Sequence, residues 1–230
     1  MTKIIALETS GPVGSVALGG EVETRSRVFE RGQRHARDLM PALEELMKEV
    51  GWSPEELDAV IVDVGPGSYT GVRVAVAAAR TLAFAVNATL IGVDSLSVLA
   101  QALGGDRPLC VVLDARRGHA YWDVFVPDEH GTMSPQHGPG LAKPEQIVSQ
   151  LPERCRLIGS GLAVYGDVLR ERGFELIESE ETATPDAAVL LALGESAYEN
   201  GARPALHDAQ PIYLRPSEAE ILWEQRHGKS

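Results

Sequence analysis

Three stretches of the chain gather side chains that could do chemistry. The first is Glu8-Thr9-Ser10, an acid and two hydroxyls directly after an apolar run. Such a group can help to hold a metal ion and phosphate, or its hydroxyls can simply satisfy the backbone of a turn. The second is Gly65-Pro66-Gly67-Ser68-Tyr69-Thr70-Gly71, between an apolar run and an alanine-rich one. Backbone N–H groups at a helix start attract anions, and glycines let a phosphate come close. No Gly-Lys-Ser or Gly-Lys-Thr follows, so this is neither a P-loop nor a dinucleotide fingerprint. The alternative is a tight turn whose glycines take positive φ or permit close packing. The third is Asp114, Arg116 and Arg117 at a strand end. Arginine suits phosphate or a nucleotide base, while a solvated hairpin tip gathers the same residues.

His35 is the remaining candidate. Metal sites on helices pair histidines at i and i+4, so that both reach one ion from one face. Here position i+4 is Leu39. A lone histidine makes no metal site, and His35 reads as a surface or capping residue. The other histidines, at 119, 130, 137, 207 and 227, are scattered through turns, loops and the tail. No Gly-x-Ser-x-Gly elbow appears, and Cys110 and Cys155 lack the surroundings of a catalytic thiol. Cys110, inside Pro108-Leu-Cys-Val-Val-Leu-Asp114, reads as a small core residue.

These groups must be positioned by elements legible in the apolar pattern. Lys3 to Leu7, Ser15 to Leu18 and a more exposed Glu21 to Phe29 predict three strands around turns. Ala36, Leu39, Met40, Leu43, Leu46, Met47 and Val50 fall on one face at helical spacing, and Gly51 supplies a stop. Pro41 inside that pattern predicts a late start or a kink. Ser53-Pro54-Glu55-Glu56 predicts a capped helical turn. Ala59 to Val64 is a strand, Val72 to Val86 a helix, Thr89 to Val93 a strand and Ser95 to Leu103 a helix. This alternation argues for an α/β layer with a mixed sheet.

Gly104-Gly-Asp-Arg-Pro108 reads as a linker. Strands follow at Leu109 to Asp114 and Ala120 to Val126, joined by a tight turn at Arg116-Arg117-Gly118. Pro127 to Pro144 lacks periodicity and reads as a long loop. Helices are predicted near Pro144 to Gln150, Ala163 to Arg172 and Pro185 to Tyr198, with strands at Arg156 to Ile158 and Phe174 to Ile177. The second half starts again with strands, as a reduced second copy of one fold would. The expected organisation is a first lobe at 1–104, a smaller lobe at 105–216, and a charged tail at 217–230 that frays.

Composition narrows the function classes. The 230 residues are 44% hydrophobic and 23% charged, enough to fold around a substantial core. The formal net charge of −12 makes the chain a poor stand-alone binder of nucleic acid, because phosphate contacts need Lys and Arg. No disulfide framework or thiolate zinc site is suggested by two separated cysteines. No membrane span or signal peptide is read, and the expected location is the cytoplasm.

Several motifs in order resemble one family. The run DAVIVDVGPGSYTGVRVAVAAARTLAFAV, Asp58 to Val86, is similar to the signature block of TsaB (YeaZ) proteins, in the TsaD-like, glycoprotease superfamily. The opening IIALETS with SVAL, the hairpin VVLDARRGHAYWDVF and the late PIYLR agree, over about residues 1 to 216. The resemblance implies a two-lobed actin-like or sugar-kinase-like fold, each lobe built on a ribonuclease-H-like sheet, the second reduced. It implies a non-catalytic scaffold and activator subunit that binds TsaD, with TsaE joining, for threonylcarbamoyl transfer to adenosine in tRNA. Self-association as a homodimer is implied when TsaD is absent, through the same helices. No cofactor is expected in the isolated chain, with ATP or ADP and metal confined to the assembled complex.

On this resemblance His35, Leu39, Leu43 and Met47 of the first long helix and Val74, Ala78 and Thr81 of the alanine-rich helix form the partner interface. Contiguous apolar strips on two such helices mark partner surfaces, although the same residues would equally serve packing on their own sheet. Glu8, Thr9, Ser10 and Arg116 are implied at a nucleotide edge in the complex. The family usually carries Asp where this chain has Glu8. A metallopeptidase and a small-molecule kinase are the alternatives. The first needs a His-x-x-x-His pair or an acid cluster. The second needs phosphate loops in both lobes, and only the first lobe offers a candidate.

Overall fold

Strands with apolar residues on both faces need cover on both faces, and that requirement organises this molecule. The structure, a computed structural model, describes residues 2–29, 35–170, 173–179, 183–215, 223 and 228, with the side chain of His35 left out. The expected fraying of 217–230 otherwise lies outside the described residues.

The first half runs β1 (Lys3–Glu8), β2 (Gly14–Gly20), β3 (Arg25–Phe29), α1 (His35–Val50), a 3-10 turn at Pro54–Glu56, β4 (Ala59–Asp63), α2 (Tyr69–Val86), β5 (Thr89–Val93) and α3 (Ser95–Leu103). The second runs β6 (Leu109–Asp114), β7 (Ala120–Pro127), β8 (Met133–Pro135), β9 (Gly140–Ala142), α4 (Pro144–Val148), β10 (Arg156–Ile158), α5 (Leu162–Arg170), β11 (Glu175–Leu176) and α6 (Ala187–Glu199).

The first sheet has the order β3-β2-β1-β4-β5, the second β11-β10-β6-β7-β8, with β9 also on β7. The two are the same topology. In each, the first two strands pair antiparallel, and the first strand pairs parallel with the strand that follows the next helix. The second copy is reduced: β8, β9 and β10 have three residues and β11 two, where β3, β4 and β5 have five. Two α/β lobes, the second a reduced copy of the first, are what the resemblance implied.

Period-two alternation divides each strand between two cores. Ile5, Leu7, Val60 and Val62 face α1 and α2, while Ile4, Ala6, Ala59 and Ile61 face the opposite side. That opposite side is covered by α6, from the far end of the second half, through Ala187, Leu190 and Leu191. In return, Leu96, Leu99 and Ala100 of α3 pack on Leu109, Val111 and Phe125 of the second sheet. Cys110, Val112, Trp122 and Val124 face α4 and α5 on the other side. The halves have exchanged their last helices. The break near Gly104 separates the sheets, but the expected division at 104/105 does not separate two packed bodies, because α3 leaves the first lobe and α6 returns to it.

Several boundaries differ from the sequence reading. The helix α1 runs through Pro41 from His35 rather than starting late. Its end is a Schellman motif: the Trp52 N–H donates to Met47 O (3.0 Å), the Gly51 N–H to Lys48 O (3.2 Å), and Gly51 takes φ +72°. The stretch 127–144 is not a plain loop. It forms β8 and β9 against β7, and the reason is Asp123, buried within the apolar YWDVF. Its carboxylate accepts from the N–H groups of Val124 (2.7 Å), His137 (3.3 Å) and Gly138 (2.9 Å), which turns the chain back onto the sheet. The helix α2 has the length and apolarity of a membrane span, contrary to the reading from composition. Here it is a core helix, with Val72, Ala75, Val76, Ala79 and Ala83 against the first sheet.

The cover supplied by α6 depends on a close approach. A Cβ at Gly194 would lie 2.4–2.5 Å from three side-chain carbons of Ile61, which is fully buried and cannot yield. Gly194→Ala is expected to cost about 1–3 kcal/mol by overpacking. Gly166→Ala serves as the comparison, since its new methyl meets the tip of the Arg170 side chain. Urea unfolding of the two variants checks this, with a clear loss for the first alone.

Candidate functional site

The chemistry-bearing residues of the first lobe converge where β1 and β4 end and α3 begins. Glu8, Thr9, Ser10, Asp63 and Ser95 are all buried, four of them at 0% exposure. The Ser10 N–H (2.5 Å) and Gly11 N–H (3.3 Å) donate to Glu8 Oε1, and Ser10 Oγ lies 2.7 Å from the same atom. Ser10 Oγ also lies 2.9 Å from Asp63 Oδ2 and 3.1 Å from Ser95 Oγ. Ser95 donates to Asp63 Oδ1 at 2.6 Å, and the Gly65 N–H to that oxygen at 2.7 Å.

Counting hydrogens assigns a protonation state. Ser10 has one hydroxyl proton but touches two carboxylates, and the Ser95 proton is taken by Asp63. With both acids ionised, one Ser10–carboxylate contact would hold no hydrogen. A proton on Glu8 completes the chain: Glu8 donates to Ser10 and Ser10 to Asp63. Glu8 is the better holder because both oxygens of Asp63 accept hydrogen bonds, whereas Glu8 Oε2 is buried with no partner. Burial, and then the charge of Asp63, raise Glu8 well above the usual carboxylate range. Burial pushes Asp63 up to about 6.

The glycine loop is a joint in this cluster. The Ser68 N–H donates to Ser10 O (2.7 Å), and Thr9 Oγ1 donates to Gly71 O (2.7 Å). A Cβ at Gly71 would fall 1.8 Å from Thr9 O, and Gly65 takes φ +88°. Close packing and positive φ, rather than a phosphate, explain these glycines. Helix α2 starts at Tyr69, earlier than expected, so Gly71 lies inside its first turn, where Ser68 Oγ accepts from the Gly71 N–H (3.2 Å). Buried, and with every polar side-chain atom but Glu8 Oε2 bonded inside the protein, Glu8, Thr9 and Ser10 present no open edge to a nucleotide or metal in this structure. Arg116 is elsewhere, its side chain 85% exposed beside Asp114 (3.4 Å) on the β6–β7 turn of the other lobe. Asp63 and Ser95 were missed in the sequence. An acid ending an otherwise apolar strand was the available signal for Asp63; nothing local marks Ser95.

The interface residues also separate. Leu39, Leu43 and Met47 point into their own core, so the expectation that they face a partner is corrected. Together with Leu46 they form the stripe that α1 lays on the first sheet. Val74 and Ala78 are half-buried, and Thr81 is exposed. The outer face of α2 instead carries Arg73, Ala77, Thr81, Ala85 and Phe84, the last 77% exposed. Met40 (43%) and Pro41 are exposed on α1. Among the described residues, no three His, Cys, Asp or Glu side chains come together as metal ligands would.

The proton assignment fixes a sign. Both acids have folded values above their unfolded ones, so the stability they contribute is full below about pH 4 and is lost as pH rises through the folded values. Glu8→Gln is expected to match the parent near pH 4 and to exceed it increasingly as pH rises toward 8, since the amide stays neutral where the parent acid is driven to ionise. Urea unfolding between those pH values tests it, and a Gln variant that is weaker than the parent at pH 8 would show Glu8 to be ionised.

Comparison with known proteins agrees with this architecture. A crystal structure of an uncharacterized protein with similarity to peptidase YEAZ from Pseudomonas aeruginosa superposes with a TM-score of 0.84 at 29% identity. That match covers 94% of this chain and 100% of the other. A structure described as YeaZ from the same organism gives 0.83 at 29%. The tRNA threonylcarbamoyladenosine biosynthesis protein TsaB of Escherichia coli K12 is 28% identical over 233 residues, 99% of each chain. The Bacillus subtilis protein of that name is 27% identical over 229 residues, 96% of this chain and 97% of its own. The family model described as TsaD, tRNA N6-adenosine threonylcarbamoyltransferase, matches residues 30–223. The chain therefore belongs to the TsaD family, and its full-length relatives put it among the TsaB (YeaZ) proteins.

Proposed function

We propose that this chain is a non-catalytic accessory subunit in the biosynthesis of threonylcarbamoyladenosine in tRNA. It binds the TsaD transferase in the cytoplasm, with TsaE joining the assembly, and pairs with a second copy of itself when alone. The pathway is carried over from the names of its relatives. The accessory role is supported chiefly by one observation: the acid-and-hydroxyl turn that could have served catalysis is buried, and its groups bond to each other.

The outer face of α2 suits the partner. Ala77, Ala85 and Thr81 are small, so another helix can approach closely, and Phe84 offers a large apolar anchor at the end of the strip. With a net charge of −12, the chain supports tRNA modification without itself gripping the tRNA strongly. The nucleotide and metal of the reaction belong to the assembled complex.

Phe84→Asp and Ala77→Asp are each expected to weaken association with TsaD at least tenfold, without changing the melting temperature. Leu43→Asp puts a charge into the core and is expected to cost about 3 kcal/mol or more in folding. Titration calorimetry with TsaD, alongside thermal melts, separates the two effects. Unchanged affinity in both α2 variants would remove the proposed face. Threonylcarbamoyl transfer by the isolated chain would remove the accessory role.

A further inference from the structure

The segment after α6 crosses from one lobe to the other, and no feature of the proposed partner face requires it to. The Arg80 guanidinium on α2 donates to Ala209 O (2.7 Å), and Ala209 is buried in the first core. The Ile212 N–H donates to Val64 O (2.7 Å), just past the carboxyl end of β4. The Tyr213 ring lies 4.8 Å from that of Tyr69, at the start of α2, and the Arg73 guanidinium sits 4.6 Å from the Tyr69 ring centre and 5.9 Å from that of Tyr213. Two residues on, Arg215 reaches the other lobe. Its Nη1 donates to Ala115 O (2.7 Å) and Arg116 O (3.2 Å), past the carboxyl end of β6. Tyr213 and Arg215 are separated by at most about 7 Å of chain.

The receiving turn is strained. Arg116 (φ +64°) and Arg117 (φ +54°) both occupy the left-handed region, followed by Gly118 at +74°. For residues with a Cβ this costs roughly 1–2 kcal/mol each. The turn is held from two directions: by Arg215 on its carbonyls, and by Tyr165, whose hydroxyl lies 2.9 Å from both Asp114 Oδ1 and His119 O. Strain of this kind persists where surrounding contacts over-determine it.

We propose that residues 205–215 form a clasp that fixes the angle between the two lobes, with Tyr213 and Arg215 as its fastening residues. The clasp spans the carboxyl ends of β4 and β6, the edge at which open α/β sheets take ligands and about which two-lobed folds close. A lobe rotation would have to break the Arg215 contacts or pull Ile212 and Tyr213 off the first lobe. The clasp therefore makes the molecule a body of fixed shape, and it joins at one place the three sequence motifs GPGSYTGVR, PIYLR and DARRGHAYW.

The inter-lobe distance tests this. Glu44 and Asp167 are exposed, one on each lobe, and both native cysteines are buried, so Glu44→Cys and Asp167→Cys accept spin labels selectively. The parent is expected to give a single narrow distance distribution. Tyr213→Ala and Arg215→Ala are each expected to broaden or shift it, and to speed amide exchange at Ala115 and His119 at least tenfold. Amides of β1 and β4 should keep their protection, which shows the sheet intact. Arg215→Lys, which retains a cationic donor, is expected to recover most of the narrow distribution. If both alanine variants keep the parent distribution and the parent exchange at the turn, the clasp is refuted.

Discussion

The exchange of α3 and α6 is the constraint on which the rest depends. Each half of the chain makes a sheet whose central strands, β1 and β4 in one and β6 and β10 in the other, are apolar on both faces. Each half covers one face with its own first two helices. The third helix of each covers the remaining face of the other sheet. Neither sheet can be fully buried without the other half, so the two copies fold as one body despite a glycine-rich break between them. The short strands of the second sheet fit this view. A two- or three-residue strand has little stability of its own, and β8 and β10 survive here packed on α3, which the first half supplies.

The same exchange places the buried polar cluster. Helix α3 must leave the first sheet at once to reach the second, so its first residue, Ser95, is caught at the end of β4 and β5. There it meets Asp63 and, through Ser10, Glu8. What could be a metal-and-phosphate turn becomes a hydrogen-bonded knot among the starts of α2 and α3 and the first turn of the chain. A buried acid pair is costly when both members are charged, and a single shared proton removes most of that cost. The arrangement links shape to function in a simple way: polar groups committed to holding loops together are not free to bind a reactant, and the surface left for work is the outside of the helices.

That surface is divided unevenly. The stripe of α1 has one apolar face and uses it on the sheet. Helix α2 is apolar nearly all round, so after Val72, Ala75, Val76, Ala79 and Ala83 are buried there are still Ala77, Phe84 and Ala85 outside. A helix with apolar residues left over after its core is complete is the part of this molecule with most to gain from a partner. The segment at 205–215 fastens to the same helix through Arg80, Tyr69 and Arg73, which ties the face to the relation between the lobes.

By itself the sequence determined the elements, their order and the family. Continuous apolar runs marked both central strands, helical spacing marked α1, and GPGSYTGVR with DARRGHAYW and PIYLR carried the resemblance, because these are local patterns of neighbouring residues. It also determined that His35 lacks a second ligand at Leu39. The tertiary structure alone decided direction and company. A helical stripe states that Leu39, Leu43 and Met47 point the same way, but whether they meet a sheet or a partner depends on what lies opposite. The glycines of the loop could have served a phosphate or a close approach, and the carbonyl of Thr9 beside Gly71 settles that choice. Asp63 and Ser95 join Glu8 from 55 and 87 residues away in sequence, and Asp123 folds a supposed loop into two strands. Such pairings are set by long-range packing, for which a short window of sequence holds no record.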